Sequence, residues 1–187
     1  MKTGSDLSTN KRVVAGKLSK ILDKKGVYTV VTKSENYLAV SQEMIRLLNK
    51  KFPGIYVTLS KQHCSVVERL KSEKIDTSRI LFIDNSEEGN GCGADNAIFI
   101  GKNKSLTALS LALSPAAKQK SMKFIFFDSV TTLLVYHKLE EIERFIHYFV
   151  NKSKDQGILV VLMAVNEGKT RKLIPILSQF CDGLITV

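Results

Sequence analysis

The chain has 187 residues, of which 44% are hydrophobic and 25% are charged, and this is the composition of a globular protein with one sizeable core. No apolar run approaches the roughly 20 residues that span a membrane, and the start MKTGSDLSTNKR lacks the apolar stretch of a secretory signal. Three distant cysteines without a C-x-x-C pair argue against a disulfide framework or a zinc site, so we expect a cytoplasmic protein. The formal net charge of +10 favours a nucleic-acid or other polyanionic partner.

The chain begins with a polar, basic segment. We expect residues 1–12 to form a disordered tail ahead of a single domain over residues 13–187. Apolar residues then recur at helical spacing over 14–22, which predicts a short amphipathic helix that ends near Gly26. The basic residues on another face of this helix are Lys17, Lys20 and Lys24.

Strands and helices then alternate to the end of the chain. Apolar and β-branched runs predict strands at 27–32, 55–60, 80–84, 97–101, 124–128, 158–165 and 184–187. Stripes at helical spacing predict helices over 37–48, 66–70, 106–120, 139–149 and 173–180. Several strands are apolar on both faces, which is typical of a parallel sheet covered by helices on both sides. The sequence therefore predicts a three-layer α/β/α fold with a mostly parallel central sheet.

Asp128 ends the apolar run FIFFD and is followed by Ser129. In doubly wound sheets, ligands bind beyond the carboxyl ends of the strands. An acid in such a position is where many nucleotide hydrolases hold the magnesium ion that accompanies a bound phosphate. The sequence thus offers Asp128 and Ser129 as one half of a nucleotide site.

The other half would be a phosphate-binding loop of the form G-x-x-x-x-G-K-[ST], between the first strand and its helix. After VYTVVT the sequence runs KSENYLAVSQEM, which contains no glycine. The pairs Gly16-Lys17 and Gly101-Lys102 lack both the upstream glycine and the following hydroxyl residue. We therefore predict that the phosphate loop is absent.

An acid stands near the place that the phosphate would occupy. Glu35, followed by Asn36, lies at the start of the second predicted helix, and helix N-termini favour anions. Glu35 can supply that negative charge from within the chain and repel a triphosphate. It can equally be an ordinary first-turn acid, since both interpretations use the same helix-dipole interaction.

Several segments together resemble the RecA-like ATPase domains of the KaiC and archaeal recombinase-paralogue group. IYVTLSKQHCSVVERLKSEKIDTSRILFID is similar to the segment of that family that runs from its second strand to the next strand. FIFFDSVTTLLVY resembles its Walker B strand, RFIHYFV the helix that follows, and FCDGLITV its closing strand. The likeness spans residues 27–187 and implies a RecA-like fold, in a protein of archaeal type, with Asp128 and Ser129 as the metal-side residues.

The resemblance also identifies parts that the chain lacks. The catalytic acid pair of the family, after the second strand, falls on Ser60 and Lys61, which cannot act as a base on water. Phosphoryl transfer depends on the phosphate loop, the metal-side acid and the catalytic acid acting together. ATP hydrolysis is therefore not expected, and neither is a bound cofactor.

Three functions remain open. The first is a non-catalytic binding or regulatory protein whose partner is another protein, a second RecA-like subunit among them. In this case Asp128 accepts hydrogen bonds from backbone N–H groups and holds the strand–loop junction, which is the interpretation that we favour. The second is a weak Mg-ATP binder that uses Asp128.

The third function is a nucleic-acid-binding accessory factor. It would use the N-terminal helix together with the segment NEGKTRK, residues 166–172, which corresponds to a loop that approaches DNA in the recombinases. The side chains available to phosphates there are Lys169, Arg171 and Lys172. A solvated basic surface explains the same charges.

Overall fold

The structure is a computed structural model that describes residues 14–86, 96–101 and 105–187. The strands are β1 (Gly26–Thr32), β2 (Gly54–Thr58), β3 (Ile80–Asp84), β4 (Ala97–Phe99), β5 (Phe124–Asp128), β6 (Leu159–Val165) and β7 (Gly183–Thr186). The helices are α1 (14–19), α2 (Ser34–Lys51), α3 (His63–Ser72), α4 (Leu106–Ala117), α5 (Leu139–Gln156) and α6 (Leu173–Phe180). Two 3₁₀ segments, Val130–Val135 and Gly168–Lys172, follow β5 and β6. The predicted tail 1–12 lies outside the described residues.

The strands form one sheet in the order β4-β3-β2-β5-β6-β1-β7, and every pairing between described strands is parallel. The register pairs Thr58 with both Asp84 and Asp128, and Thr32 with Val165. The carboxyl ends of five strands therefore lie along one edge of the sheet. We call this the carboxyl edge.

Helices cover both faces of the sheet. The layer of α1, α2 and α3 buries the apolar residues Leu18, Met44, Leu48, Val66 and Leu70 against Tyr56, Phe124 and Phe126. The layer of α4, α5 and α6 buries Leu109, Leu113, Ile142, Phe145, Phe149 and Leu177 against Ile55, Ile125 and Phe127. The predicted three-layer α/β/α architecture is thus confirmed. No helix in the described parts of the chain is both long and apolar enough to cross a membrane.

Asp182 fastens the beginning of β1 to the edge strand β7. Its carboxylate accepts a hydrogen bond from the Val27 N–H at 2.8 Å and lies 2.9 Å from Lys154 Nζ, and its own N–H donates to the Val27 carbonyl at 2.7 Å. Gly26 has φ +114°, and a side chain there would collide with this carboxylate. The segment FCDGLITV thus contributes the acid that anchors an edge of the sheet.

Two local features differ from the sequence predictions. The first helix ends at residue 19 and continues as turns to residue 23, so it is shorter than its apolar stripe. Cys64 is disulfide-bonded, whereas Cys181 is free. The sequence argues against a disulfide framework and does not predict the bond at Cys64, because separation along the chain does not measure distance in the fold.

Candidate functional site at the carboxyl edge

Asp128 is the last residue of β5 and points into the layer that contains α2 and α3. Side chains alternate along a strand, and the residues two and four positions earlier, Phe126 and Phe124, both pack in that layer. Asp128 is only 2% exposed. A buried carboxylate is stable only when charged or hydrogen-bonding partners compensate its lost hydration.

Three side chains supply that compensation. The hydroxyl of Tyr37, in α2, donates to Oδ1 of Asp128, and the hydroxyl of Tyr56, in β2, donates to Oδ2. Arg69, in α3, places Nη2 3.5 Å from Oδ2 and donates from the same nitrogen to the Tyr56 hydroxyl at 3.3 Å. Both carboxylate oxygens are therefore engaged, by residues from three different elements.

The two tyrosines are fixed in the donor state. Burial raises the pKa of Tyr37 and of Tyr56 well above the usual range, and the negative charge of Asp128 raises both further. The charge of Arg69 lowers the pKa of Tyr56, but it is a smaller contribution than burial. Because a protonated phenol is the hydrogen-bond donor, this network persists at neutral pH.

Lys61 adds a second cation to the site. The Thr58 hydroxyl donates to the Lys61 carbonyl at 2.6 Å, which turns the chain back after β2. Burial lowers the pKa of Lys61 and the charge of Arg69 lowers it further, whereas the charge of Asp128 raises it. Ser60 lies beside it and is exposed. A lysine close to Arg69 and Asp128 thus stands where the resemblance places a catalytic acid.

The connection between β1 and α2 consists of Lys33 alone. This position precedes the helix start, and the Lys33 side chain makes no capping hydrogen bond. A glycine-containing phosphate loop needs a run of several residues whose N–H groups curve around the phosphates. The chain instead passes directly from strand to helix.

A carboxylate from another part of the chain caps α2. Glu167, after β6, accepts hydrogen bonds from the Ser34 N–H at 2.9 Å and from the Ser34 hydroxyl at 2.5 Å. Glu35 lies in the first turn, as predicted, and is exposed, and the N–H of Asn36 donates to the Lys33 carbonyl at 3.1 Å. The anion bonded to the helix start therefore belongs to Glu167, 133 residues away from Ser34.

The start of α3 repeats this arrangement. The cap position is Gln62, whose side chain makes no capping hydrogen bond. The carboxylate of Asp84 accepts from the His63 N–H at 2.6 Å and from the Ser86 N–H at 2.8 Å. An acid at the end of β3 has taken over the role of a local cap.

Ser129 is buried and bonded within its own turn. Its Oγ lies 2.8 Å from the Thr131 hydroxyl and 3.3 Å from the Thr132 hydroxyl. The peptide bond between Asp128 and Ser129 is cis. The backbone N–H donors expected for the Asp128 carboxylate are replaced by tyrosine hydroxyls and a guanidinium, because the side chain points between helices rather than along the loop.

The basic residues proposed for nucleic-acid contact occupy two regions. The exposed side chains of the 3₁₀ segment after β6 are those of Lys169, Arg171 and Lys172. Lys17 Nζ donates to the Thr186 carbonyl at 3.1 Å, at the carboxyl end of β7. Lys24 Nζ lies 5.6 Å from the ring centroid of Tyr28, near the other end of β1, and Lys20 is exposed between them. Only Lys17 is thus placed at the same edge as the 166–172 segment.

Four residues of the site were not singled out by the sequence: Tyr37, Tyr56, Arg69 and Glu167. Tyr37 has the spacing of a helix core residue, and Arg69 and Glu167 belong to ordinary charged stretches. A signal existed for Tyr56, because a hydroxyl in the middle of a buried strand requires a partner. The identity of that partner depends on strand order, which the sequence does not state.

Replacing Tyr56 with Phe tests the hydrogen bonds around Asp128. The ring stays in the core, but Oδ2 of the buried carboxylate keeps only Arg69. Loss of a hydrogen bond to a charged group costs roughly 1.5–3 kcal/mol, so urea denaturation should show a free energy of unfolding about 2 kcal/mol lower. The control is Tyr148→Phe, whose hydroxyl accepts from Lys152 Nζ at 2.8 Å on the surface. Equal losses in the two variants would contradict the network.

Replacing Glu167 with Gln tests the cap of α2. The hydrogen bonds from Ser34 lower the pKa of Glu167 below its ordinary 4.5. A carboxyl whose pKa falls on folding stabilises the protein above its unfolded pKa, and that contribution disappears as the pH falls through the folded-state pKa. We expect Glu167→Gln to lower the melting temperature at pH 7 and the difference to shrink below pH 4.5. Glu35→Gln is the control, and a larger pH-dependent loss there would assign the cap to Glu35.

Comparison with known proteins identifies the fold. No protein-family model matches the chain, and no curated protein matches it. Among solved structures, the chain is similar to the KaiC-like protein PH0186 from the hyperthermophilic archaeon Pyrococcus horikoshii OT3, with a TM-score of 0.64 over 86% of this chain and 70% of that chain. The sequence identity is 12%, so this likeness establishes the fold alone. The chain has the RecA-like fold of KaiC-like proteins, as its strand and helix segments predict.

Proposed function

We propose that this protein is a non-catalytic binding or regulatory protein on a RecA-like fold, which engages a protein partner and does not hydrolyse ATP. The observation that carries the proposal is the engagement of Asp128. Its two oxygens accept hydrogen bonds from Tyr37 and Tyr56, and Arg69 lies 3.5 Å away. The residue that resembles a metal-side acid is thus built into the packing between the helices and the sheet.

Magnesium binding at Asp128 would be costly. Mg²⁺ prefers oxygen ligands in a near-octahedral shell, and to reach Asp128 it would have to displace the hydroxyl of Tyr37 or Tyr56. It would also approach the guanidinium of Arg69 and the ammonium group of Lys61, both of which repel it. The local charges therefore favour the internal partners over a metal ion.

Phosphate binding meets a similar obstacle. The start of α2 is the position at which a parallel sheet usually presents N–H groups to a phosphate, and the carboxylate of Glu167 already accepts from Ser34 there. A triphosphate would have to displace this acid against charge repulsion. The single residue Lys33 supplies no curved run of N–H groups to offset that cost.

Calorimetric titration with Mg-ATP tests the proposal. We expect no saturable heat at millimolar nucleotide, for the native protein and for Asp128→Ala alike, and no release of phosphate above background. Circular dichroism of each variant verifies that it is folded. Saturable binding that Asp128→Ala abolishes would reject the proposal and establish the weak ATP-binding alternative.

A second candidate function is nucleic-acid binding, which is favoured by the excess of basic side chains in the 166–172 segment. Glu167, the acid of this segment, is exposed and accepts hydrogen bonds from Ser34. The exposed charges that remain are those of Lys169, Arg171 and Lys172. Lys17 lies at the same edge, beside the carboxyl end of β7. Strand β1 separates β7 from β6, the strand that the 166–172 segment follows. The edge therefore presents four exposed cations beside Glu167, whose carboxylate is hydrogen-bonded to Ser34.

Filter binding of single- and double-stranded DNA at 50 and 200 mM salt tests this candidate. Three phosphate contacts predict that affinity falls roughly 40-fold over that interval, since the logarithmic slope is about −0.9 per contact. Simultaneous replacement of Lys169, Arg171 and Lys172 by Gln should abolish retention. In the control variant, Gln replaces three exposed lysines that follow α4, namely Lys118, Lys120 and Lys123. This variant should retain DNA as the native protein does. Absence of retention at 50 mM salt would exclude nucleic acid.

A further inference from the structure

Helix α4 carries no charged side chain in its 12 residues, LTALSLALSPAA, although the chain has a net charge of +10. One side of the helix is buried on the sheet through Leu109, Leu113 and Ala116. The opposite side carries Thr107, Leu111 and Ser114, none of them charged, and Leu111 is 69% exposed. An uncharged helix side with an exposed leucine is a candidate contact surface for another protein.

A shallow groove of about 10 Å³ lies beside this exposed side, between α4 and α5. On α4 its wall consists of the small residues Ser110, Ser114 and Ala117. On α5 it is bordered by Tyr148, which is 51% exposed, and by the buried ring of Phe149. Small residues on one wall and aromatic rings on the other make a shallow surface across which the apolar side chains of a helix can pack.

The rim of the groove is basic. Lys152 lines it, and its Nζ lies 5.2 Å from the ring centroid of Tyr148 and donates to the Tyr148 hydroxyl. Lys118 and Lys120 are exposed immediately after α4. Asp155 is the acidic residue in this last part of α5, and Lys154 next to it is paired with Asp182. The free charges along the groove are therefore mostly positive.

We propose that α4 and the α4–α5 groove form a docking surface for an amphipathic helix of a protein partner, with acidic residues beside its apolar stripe. Apolar side chains would pack on Leu111 and across the neighbouring shallow groove, and acidic residues would face Lys118, Lys120 and Lys152. A second copy of this chain is a poorer occupant, because its own basic rim would face these lysines. The inference rests on the binding function proposed above and names its surface and partner class.

The docking surface is separate from the Asp128 network. Helix α4 packs in the layer with α5 and α6, whereas Asp128 points toward α2 and α3 on the other face of the sheet. The 12 residues of α4 extend about 18 Å, which a partner helix of similar or slightly greater length would cover.

Fluorescence anisotropy with a designed peptide tests the proposal. The probe is a fluorescein-labelled helix of about 18 residues with Leu at i, i+3, i+4 and i+7 positions and Glu on the other faces. The matched probe carries Lys in place of every Glu. We expect saturable binding of the acidic peptide, no binding of the basic one, and at least a tenfold loss of affinity in Leu111→Glu. The control Val135→Glu, at a side chain that is 71% exposed away from the groove, keeps the native affinity.

Three results would overturn the proposal: no binding of the acidic peptide, equal binding to Leu111→Glu, or equal binding of both peptides. Sedimentation velocity tests whether a second copy of this chain occupies the surface instead. A native dimer that dissociates in Leu111→Glu would show that it does. These results can be interpreted independently of the Mg-ATP titration. Nucleotide binding would reject the non-catalytic function, whereas failure of the peptide alone rejects this docking surface.

Discussion

The burial of one negative charge at the end of β5 is the constraint around which this edge of the molecule is organised. Asp128 is almost fully removed from water, so its charge must be balanced within the protein. The balance comes from Tyr37 in α2, Tyr56 in β2 and Arg69 in α3. A single carboxylate thus connects two helices of one layer to two adjacent strands of the sheet.

The same principle governs the helix starts around it. Neither α2 nor α3 has a side-chain cap from its own first residues. Glu167, after β6, and Asp84, the last residue of β3, accept hydrogen bonds from the first N–H groups instead. Positions that attract external anions in parallel α/β proteins are here satisfied by the acids of the chain. This shared arrangement is the physical basis on which we propose that the fold binds a partner rather than a nucleotide.

The fold could be predicted from the sequence because its signals are local. The apolar run FIFFD indicates a buried strand, and the stripe from Leu139 to Phe149 indicates a helix, whatever their neighbours are. The position of Asp128 at a strand end was predictable for the same reason. The contacts of Asp128 were not, because Tyr37 lies 91 residues away and Tyr56 lies 72 residues away. Glu35 and Glu167 are indistinguishable as acids in sequence, and only the adjacency of β1 and β6 decides which of them reaches Ser34.

The one-residue link at Lys33 has a consequence for motion. Loops that close over a ligand need several residues to absorb changes in backbone angles. Lys33 stands between a strand held by 7 register pairs to β6 and a helix of 18 residues. It offers a single pair of φ and ψ angles, so strand and helix move as one body. A force applied to the start of α2 is therefore transmitted to β1 and to its neighbour β6 instead of being absorbed by a lid.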